Sequence, residues 1–202
     1  MEQLNEIIKT ISLTMGASWA SGINLYATLL MLGIGELTGA ITLPENLQVL
    51  SSPLVIGAAG LMYIVEFIAD KIPGVDSGWD TLHTFIRIPA GAMLAYQAVG
   101  DVTQPMAIAA AMIGGGLATA THATKSGTRV VINTSPEPFT NWAASIGEDL
   151  VVFGSLWAAL NQPWIFIGIL IVSILIMAWL LPKIWRGIKK VFRFLFGSKK
   201  SE

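Results

Sequence analysis

The chain contains no cysteine and two histidines, and only 12% of its 202 residues are charged. The first absence excludes disulfides, thiolate metal sites and cysteine nucleophiles, and leaves the redox compartment open. The scarcity of charge excludes a water-soluble globule, in which roughly a quarter of residues are charged. Signal-peptide features are missing as well. Residues 1–9 carry Glu2 and Glu6 before the single Lys9, with no basic leading region and no small-residue cleavage site. There is no P-loop, nucleotide fingerprint or serine-nucleophile motif. Gly114, Gly115 and Gly116 fall inside an apolar run, where glycine serves packing.

What the chain has is hydrophobicity: 53% hydrophobic residues, a mean hydropathy of +0.66, and several runs near the ~18 uncharged residues that cross a hydrocarbon core. The pattern predicts an all-α integral membrane protein with about six transmembrane spans, at 11–34, 53–70, 80–99, 105–124, 141–159 and 164–181. Residues 1–182 form a single membrane domain and 183–202 a basic tail. All twelve Lys and Arg then fall on one side of the membrane or at span ends on that side, which predicts two cytoplasmic termini. Two sets of three spans, 1–103 and 104–182, leave open a pair of inverted repeats. The supporting echo is Ser21-Gly22 against Ser126-Gly127, about half the chain apart. Spans one and four are rich in small residues and are expected to be central. Asn24, in mid-span, needs a hydrogen-bond partner.

Eleven charged residues remain when the N-terminus, the outer loops and the tail are set aside: Glu66, Asp70, Lys71, Asp76, Asp80, Arg87, Lys125, Arg129, Glu137, Glu148 and Asp149. Both histidines, His83 and His122, lie among them. Residues 150–160 make only ~16 Å of helix, so span five must draw Glu148 and Asp149 into a ~30 Å core. The same reckoning pulls in Glu66, Arg87 and His83. Such charges cost at least ~2.5 kcal/mol each unless paired or hydrated, and should face one another or a water-filled cavity. Glu66 with Asp70, Asp76 with Asp80, and His83 with Arg87 are each four residues apart, on one helix face, with Pro73-Gly74 breaking the chain between the acidic pairs. His122, Lys125 and Arg129 form a basic stripe.

Acidic pairs suit a hard cation, Mg²⁺ or Na⁺, so Glu66, Asp70, Asp76 and Asp80 are candidate metal ligands. With Glu148 and Asp149 they are the candidate ion-coupling groups, for H⁺ or Na⁺. His83, Arg87, His122, Lys125 and Arg129, with Asn24, are the candidate substrate-binding groups, suited to phosphate or carboxylate.

Gly22-Ile-Asn24-Leu-Tyr26, the run Glu66-x-x-x-Asp70-Lys71-Ile-Pro73-x-x-Asp76, His83-x-x-x-Arg87-x-Pro89-x-Gly91 and His122-x-x-Lys125-x-x-x-Arg129 together resemble a bacterial membrane-protein family known only as a domain of unknown function. The resemblance extends to about span five. It implies an all-helical membrane fold, placed in the bacterial cytoplasmic membrane, and brings no activity, cofactor or substrate.

In the tail, Ile184, Trp185, Ile188, Val191, Phe192 and Leu195 form an apolar stripe opposite Lys183, Arg186, Lys189, Lys190 and Arg193. This predicts an interfacial amphipathic helix on anionic headgroups, worth ~1 kcal/mol per cation. Its apolar face requires burial, which argues against nucleic acid as a partner.

The leading expectation is a small secondary transporter or channel for a polar, anionic solute or lipid headgroup. One alternative is an intramembrane metal-dependent enzyme acting on a phosphorylated lipid, although the surrounding signatures of such families are absent. Another is a structural subunit whose buried ion pairs hold helices in register. Homo-oligomerisation is left open.

Overall fold

The computed structural model describes residues 1–134 and 138–196. Glu137 and the tail residues Lys199 and Lys200 lie outside the described residues, as do the side chains of Val191, Phe192 and Leu195. The described chain is helical throughout: α1 (Glu2–Ile23), α2 (Leu25–Leu37), a 3₁₀ helix (Glu45–Ser51), α3 (Pro53–Ala69), α4 (Val75–Ala98), α5 (Gln104–Ile132), α6 (Pro138–Asn161) and α7 (Pro163–Phe196). Proline opens α3 and α7, where its missing N–H costs nothing. Gly74, at φ +86°, makes the turn between α3 and α4 that an L side chain would strain.

Three helical segments are long and apolar enough to cross a membrane: Gln104–Ile132, Phe139–Asn161 and Pro163–Lys190. The 3₁₀ helix and α3 pass the same test only when taken together, across a bend of 66°. α4 carries Asp76, Asp80 and Arg87 and falls short on polarity; α2 is 13 residues, about 20 Å. The distribution of polarity is inverted relative to a soluble protein. Leu54, Leu82, Phe85, Met112, Leu150 and Leu175 are exposed, while Ser12, Thr14, Ser18, Ser21 and Thr28 are buried with the charges. An apolar exterior over a polar interior is what a hydrocarbon solvent selects.

Residues 11–34, expected as one span, are two helices. Asn24 is extended, with φ −144° and ψ 98°. Its Oδ1 accepts from the Ala27 N–H at 3.0 Å and caps α2. The chain turns back there. At the start of α1, Asn5 accepts from Trp164 Nε1 at 3.5 Å and Ser12 donates to the Pro163 carbonyl at 3.2 Å, beside the α6–α7 turn. At the end of α2, Ile34 and Thr38 share a groove with Trp157 and Asn161, beside the same turn. α1 and α2 are therefore a hairpin with its bend at Asn24, and seven α-helices run alternately up and down.

This odd count places the start of α1 and the end of α7 at opposite ends of the bundle, so two termini on one side do not follow from the geometry. It also removes the basis of the inverted repeat. Ser18 meets Gly91 and Gly114, Gly22 meets Ala118, and Lys125 meets the Ile23 carbonyl, so α1 and α5 run parallel. An inverted repeat would set the two Ser-Gly segments antiparallel.

α1 and α5 are central, as their small residues predicted: α1 touches α2, α4, α5, α6 and α7. A Cβ on Gly22 would strike the Ala118 backbone carbonyl, and one on Gly114 the Ala95 and Ser18 side chains. The tail does not form a separate interfacial helix. α7 passes without interruption through Pro182 to Phe196, and Ile184, from the expected lipid-facing stripe, is buried against Gly127 of α5.

Candidate functional site

Where α3 ends, α4 begins and α5 and α6 approach their connection, six carboxylates and three cations are drawn together. Arg87, at 0% exposure, extends from α4 between two acids. Its Nη2 donates to Glu66 Oε1 at 2.6 Å and its Nη1 to Asp80 Oδ1 at 2.9 Å. Lys125 of α5 donates to Asp70 Oδ2 at 2.9 Å, Glu66 Oε1 at 3.3 Å and the Ile23 carbonyl at 3.1 Å. That carbonyl belongs to the last turn of α1, so the α1–α2 bend delivers an acceptor to the network. One turn on, Arg129 Nη2 donates to Glu148 Oε2 at 2.8 Å, and its Nη1 reaches the carbonyls of Asp70 at 3.0 Å and Asn141 at 3.1 Å.

Asp76 sits at the edge, 4.0 Å from Arg129. Its Oδ1 accepts from the Gly74 N–H, the Ser77 N–H and Asn133 Nδ2. Asp149 is bound without a cation, accepting from Asn24 Nδ2 at 3.0 Å and the Tyr63 hydroxyl at 3.2 Å. Asn24 thus has the partner its position required, and caps α2 with its other atom.

Each histidine is hydrogen-bonded through both ring nitrogens. His83 Nδ1 donates to the Trp79 carbonyl at 2.9 Å, and its Nε2 accepts from Tyr26 at 3.0 Å while the ring stacks on Trp79. It stands apart from the network. His122 accepts from Arg87 at Nδ1 (3.3 Å) and donates from Nε2 to Thr84 (2.7 Å). Lys71, beyond the end of α3, lies over the Phe67 ring and donates to Ser145 Oγ at 3.3 Å, outside the network. Burial against that ring lowers its pKa.

Two expectations change. The acidic pairs do not form an ion cage: Glu66, Asp70 and Asp80 turn onto Arg87 and Lys125, and among the described residues no three carboxylate or imidazole groups converge as metal ligands do. Nor are the cations of the basic stripe free: Lys125 and Arg129 are each already met by carboxylate. Sequence reasoning also missed the neutral partners Tyr26, Tyr63, Thr84, Asn133 and Asn141. Only Tyr26 offered a signal, two residues after Asn24; the others carry no spacing that marks them.

The balance of charge is uneven. Among the described residues Glu66, Asp70, Asp76, Asp80, Glu148 and Asp149 have only Arg87, Lys125 and Arg129 within ion-pair distance, a formal surplus of three negative charges at that range, tempered from farther off by Lys71, which attracts Asp149 and Asp70. Moreover, Glu66 Oε2, Asp70 Oδ1, Asp76 Oδ2 and Asp80 Oδ2 are buried and accept no hydrogen bond from the described residues. A buried polar atom left without a hydrogen bond is costly, although the other oxygen of each of these carboxylates is bonded.

A family model described as a domain of unknown function (DUF4126) matches residues 11–183. No curated protein matches the chain, and no solved structure does.

Proposed function

We propose that this chain, which belongs to the DUF4126 family, is a small secondary transporter that couples movement of an anionic solute or lipid headgroup to protons. The observation that carries the reading is the three-charge acidic surplus with its four unpartnered carboxylate oxygens. A site containing only paired charges has nothing to offer an incoming anion. A site with surplus carboxylates can take up several protons, and once the acids around one arginine or lysine are neutralised that cation is released and an anion can take the vacated place. Each proton then offsets one substrate charge, which is the arithmetic of proton–anion symport. The helix bend at Asn24 sets an α-helix N-terminus beside the network, as broken helices do at transporter sites.

The chain would lie in the bacterial cytoplasmic membrane, with the basic end of α7 toward the cytoplasm and anionic lipid, and the start of α1 outside. The test is uptake into proteoliposomes under an imposed pH gradient, scored with a panel of labelled organic and inorganic anions. Gradient-driven accumulation that Asp80→Asn or Glu148→Gln uncouples supports the reading. Uptake indifferent to the gradient sinks it. The full pairing of all three cations favours one second reading, a structural subunit in which the network only fixes helix register. That reading predicts that neutralised variants which still fold keep their cellular phenotype.

A further inference from the structure

Above α1, and walled by α5, α6 and α7, lies a cavity of about 640 Å³, within the 300–1,000 Å³ range of small-molecule sites. Its ends differ in chemistry. At one end are Lys125, Thr128 and Glu148; at the other the walls are mostly apolar, with Trp19, Gly168 and Val172 beside the hydroxyls of Ser155 and Ser173. From Gly168 to the last lining residue of α7, Met177, the cavity runs about 14 Å along the helix. It opens between helices whose outer surfaces are apolar, since Val172 and Ile176 are themselves more than half exposed. The polar end lies toward the basic segment of α7. A lipid of that leaflet would enter with its head at the network and its chain toward the bilayer centre.

We infer that the cavity holds the hydrocarbon chain of an anionic amphiphile whose carboxylate or phosphate head is read by Lys125 and Arg129, with Glu148 as the gate. The inference rests on the transport reading for its direction of movement and on the cavity for its substrate class. Glu148 is the network carboxylate most open to the cavity. Its side chain is 19% accessible, against 0–4% for Glu66, Asp70 and Asp80. It accepts from Arg129 at 2.8 Å and forms an ion pair with Lys125 at 3.5 Å, while the N–H groups of Lys125 go to Asp70, Glu66 and the Ile23 carbonyl. With the Glu148 side chain swung away or neutral, as in Glu148→Gln, an anionic head can take its place beside Arg129 and Lys125. The threonine face of α5 supplies hydroxyls along the way, and α7 supplies an apolar wall for the chain.

Native mass spectrometry of the full chain tests this with three probes: dodecyl phosphate, dodecanol and inorganic phosphate. Dodecyl phosphate should be retained at one copy per chain, and the other two released. At Gly168 an added Cβ meets open space, so Gly168→Leu fills the cavity without a clash and should weaken retention at least tenfold. Val172→Trp should do the same from the next turn. Gly116→Leu, equally free of contacts but outside the cavity, should bind as the parent does. Glu148→Gln should bind dodecyl phosphate more tightly, with less dependence on acid pH. Undiminished retention in both cavity-filling variants, or inorganic phosphate held as firmly as dodecyl phosphate, overturns the inference. Gradient-driven flux of short anions without dodecyl phosphate retention overturns it too, while leaving the transport reading intact. Retention that Gly168→Leu abolishes, without gradient-driven movement, upholds the cavity and ends the transport reading.

Discussion

Neutralising a cation of the buried network should cost far more than neutralising a carboxylate, and Arg87 is the place to measure it. Its guanidinium has no exposure and bonds Glu66 at 2.6 Å and Asp80 at 2.9 Å. Arg87→Met keeps most of the volume but raises the acidic surplus from three to four and leaves two buried acids without their main partner. Breaking a buried pair in this way costs about 3–5 kcal/mol. For a chain of this size that is a loss of roughly 6–20 °C in Tm. Glu66→Gln runs the other way: the surplus falls to two, Arg87 keeps Asp80, and Lys125 keeps Asp70, so the expected cost is about 1 kcal/mol. The triple change Glu66→Gln, Asp80→Asn, Arg87→Met replaces the group with neutral side chains and should recover to within ~2 kcal/mol of the parent. Thermal melts by circular dichroism in one fixed detergent, arranged as a mutant cycle, read all three. If Glu66→Gln destabilises as much as Arg87→Met, the surplus of negative charge is not real and the reasoning behind the proposed coupling fails with it.

Gly22→Ala drives a methyl group into the Ala118 backbone and should cost about 1–3 kcal/mol by overpacking, whereas Gly116→Ala, facing open space, should be neutral or gain up to about 1 kcal/mol; melts that place the two together would refute the close α1–α5 approach. Asn24→Ala should lose about 1 kcal/mol with the cap and more with the Asp149 bond. Asn24→Asp keeps the cap but sets two carboxylates against each other, so its stability should fall as pH rises through the carboxylate range, and a flat profile would show that the pair does not form. Because the chain has no native cysteine, single cysteines report sidedness cleanly: Gln3→Cys and Arg186→Cys should label from opposite faces of sealed vesicles. Labelling from the same face would refute the seven-helix alternation.

The burial of the charged cluster was legible because it follows from length alone: a helix of eleven apolar residues is too short, so its flanking acids must enter. The break between the acidic pairs was legible from Pro73-Gly74. What sequence could not supply was direction. Residues 11–34 contain no charge and no proline, and a bend made by one asparagine reads as a continuous span. With that bend missed, the placing of both chain ends at one end of the bundle and the relation of the two Ser-Gly segments lost their basis together. The same limit applied to the site. Spacing along a helix groups like with like, acid with acid and base with base, whereas the fold pairs them across helices, Arg87 of α4 with Glu66 of α3 and Lys125 of α5 with Asp70. Spacing therefore suggested separate cation and anion cages where there is one network of acids and bases interleaved across helices.

The position of α1 also bears on how the protein is made. Its contacts reach far along the chain, from Ser12 to Pro163, Trp19 to Ser173 and Asn24 to Asp149, so α1 finds its seat only after α7 has been synthesised. Contacts of such separation slow folding. Until then α1 must keep Ser12, Thr14, Ser18 and Ser21, all buried in the finished bundle, in surroundings that offer them few partners. Nascent chains stopped before α7 should therefore expose an unseated α1 hairpin, a natural client for membrane insertases and quality-control proteases, and the final helix acts as the latch that ends that exposure.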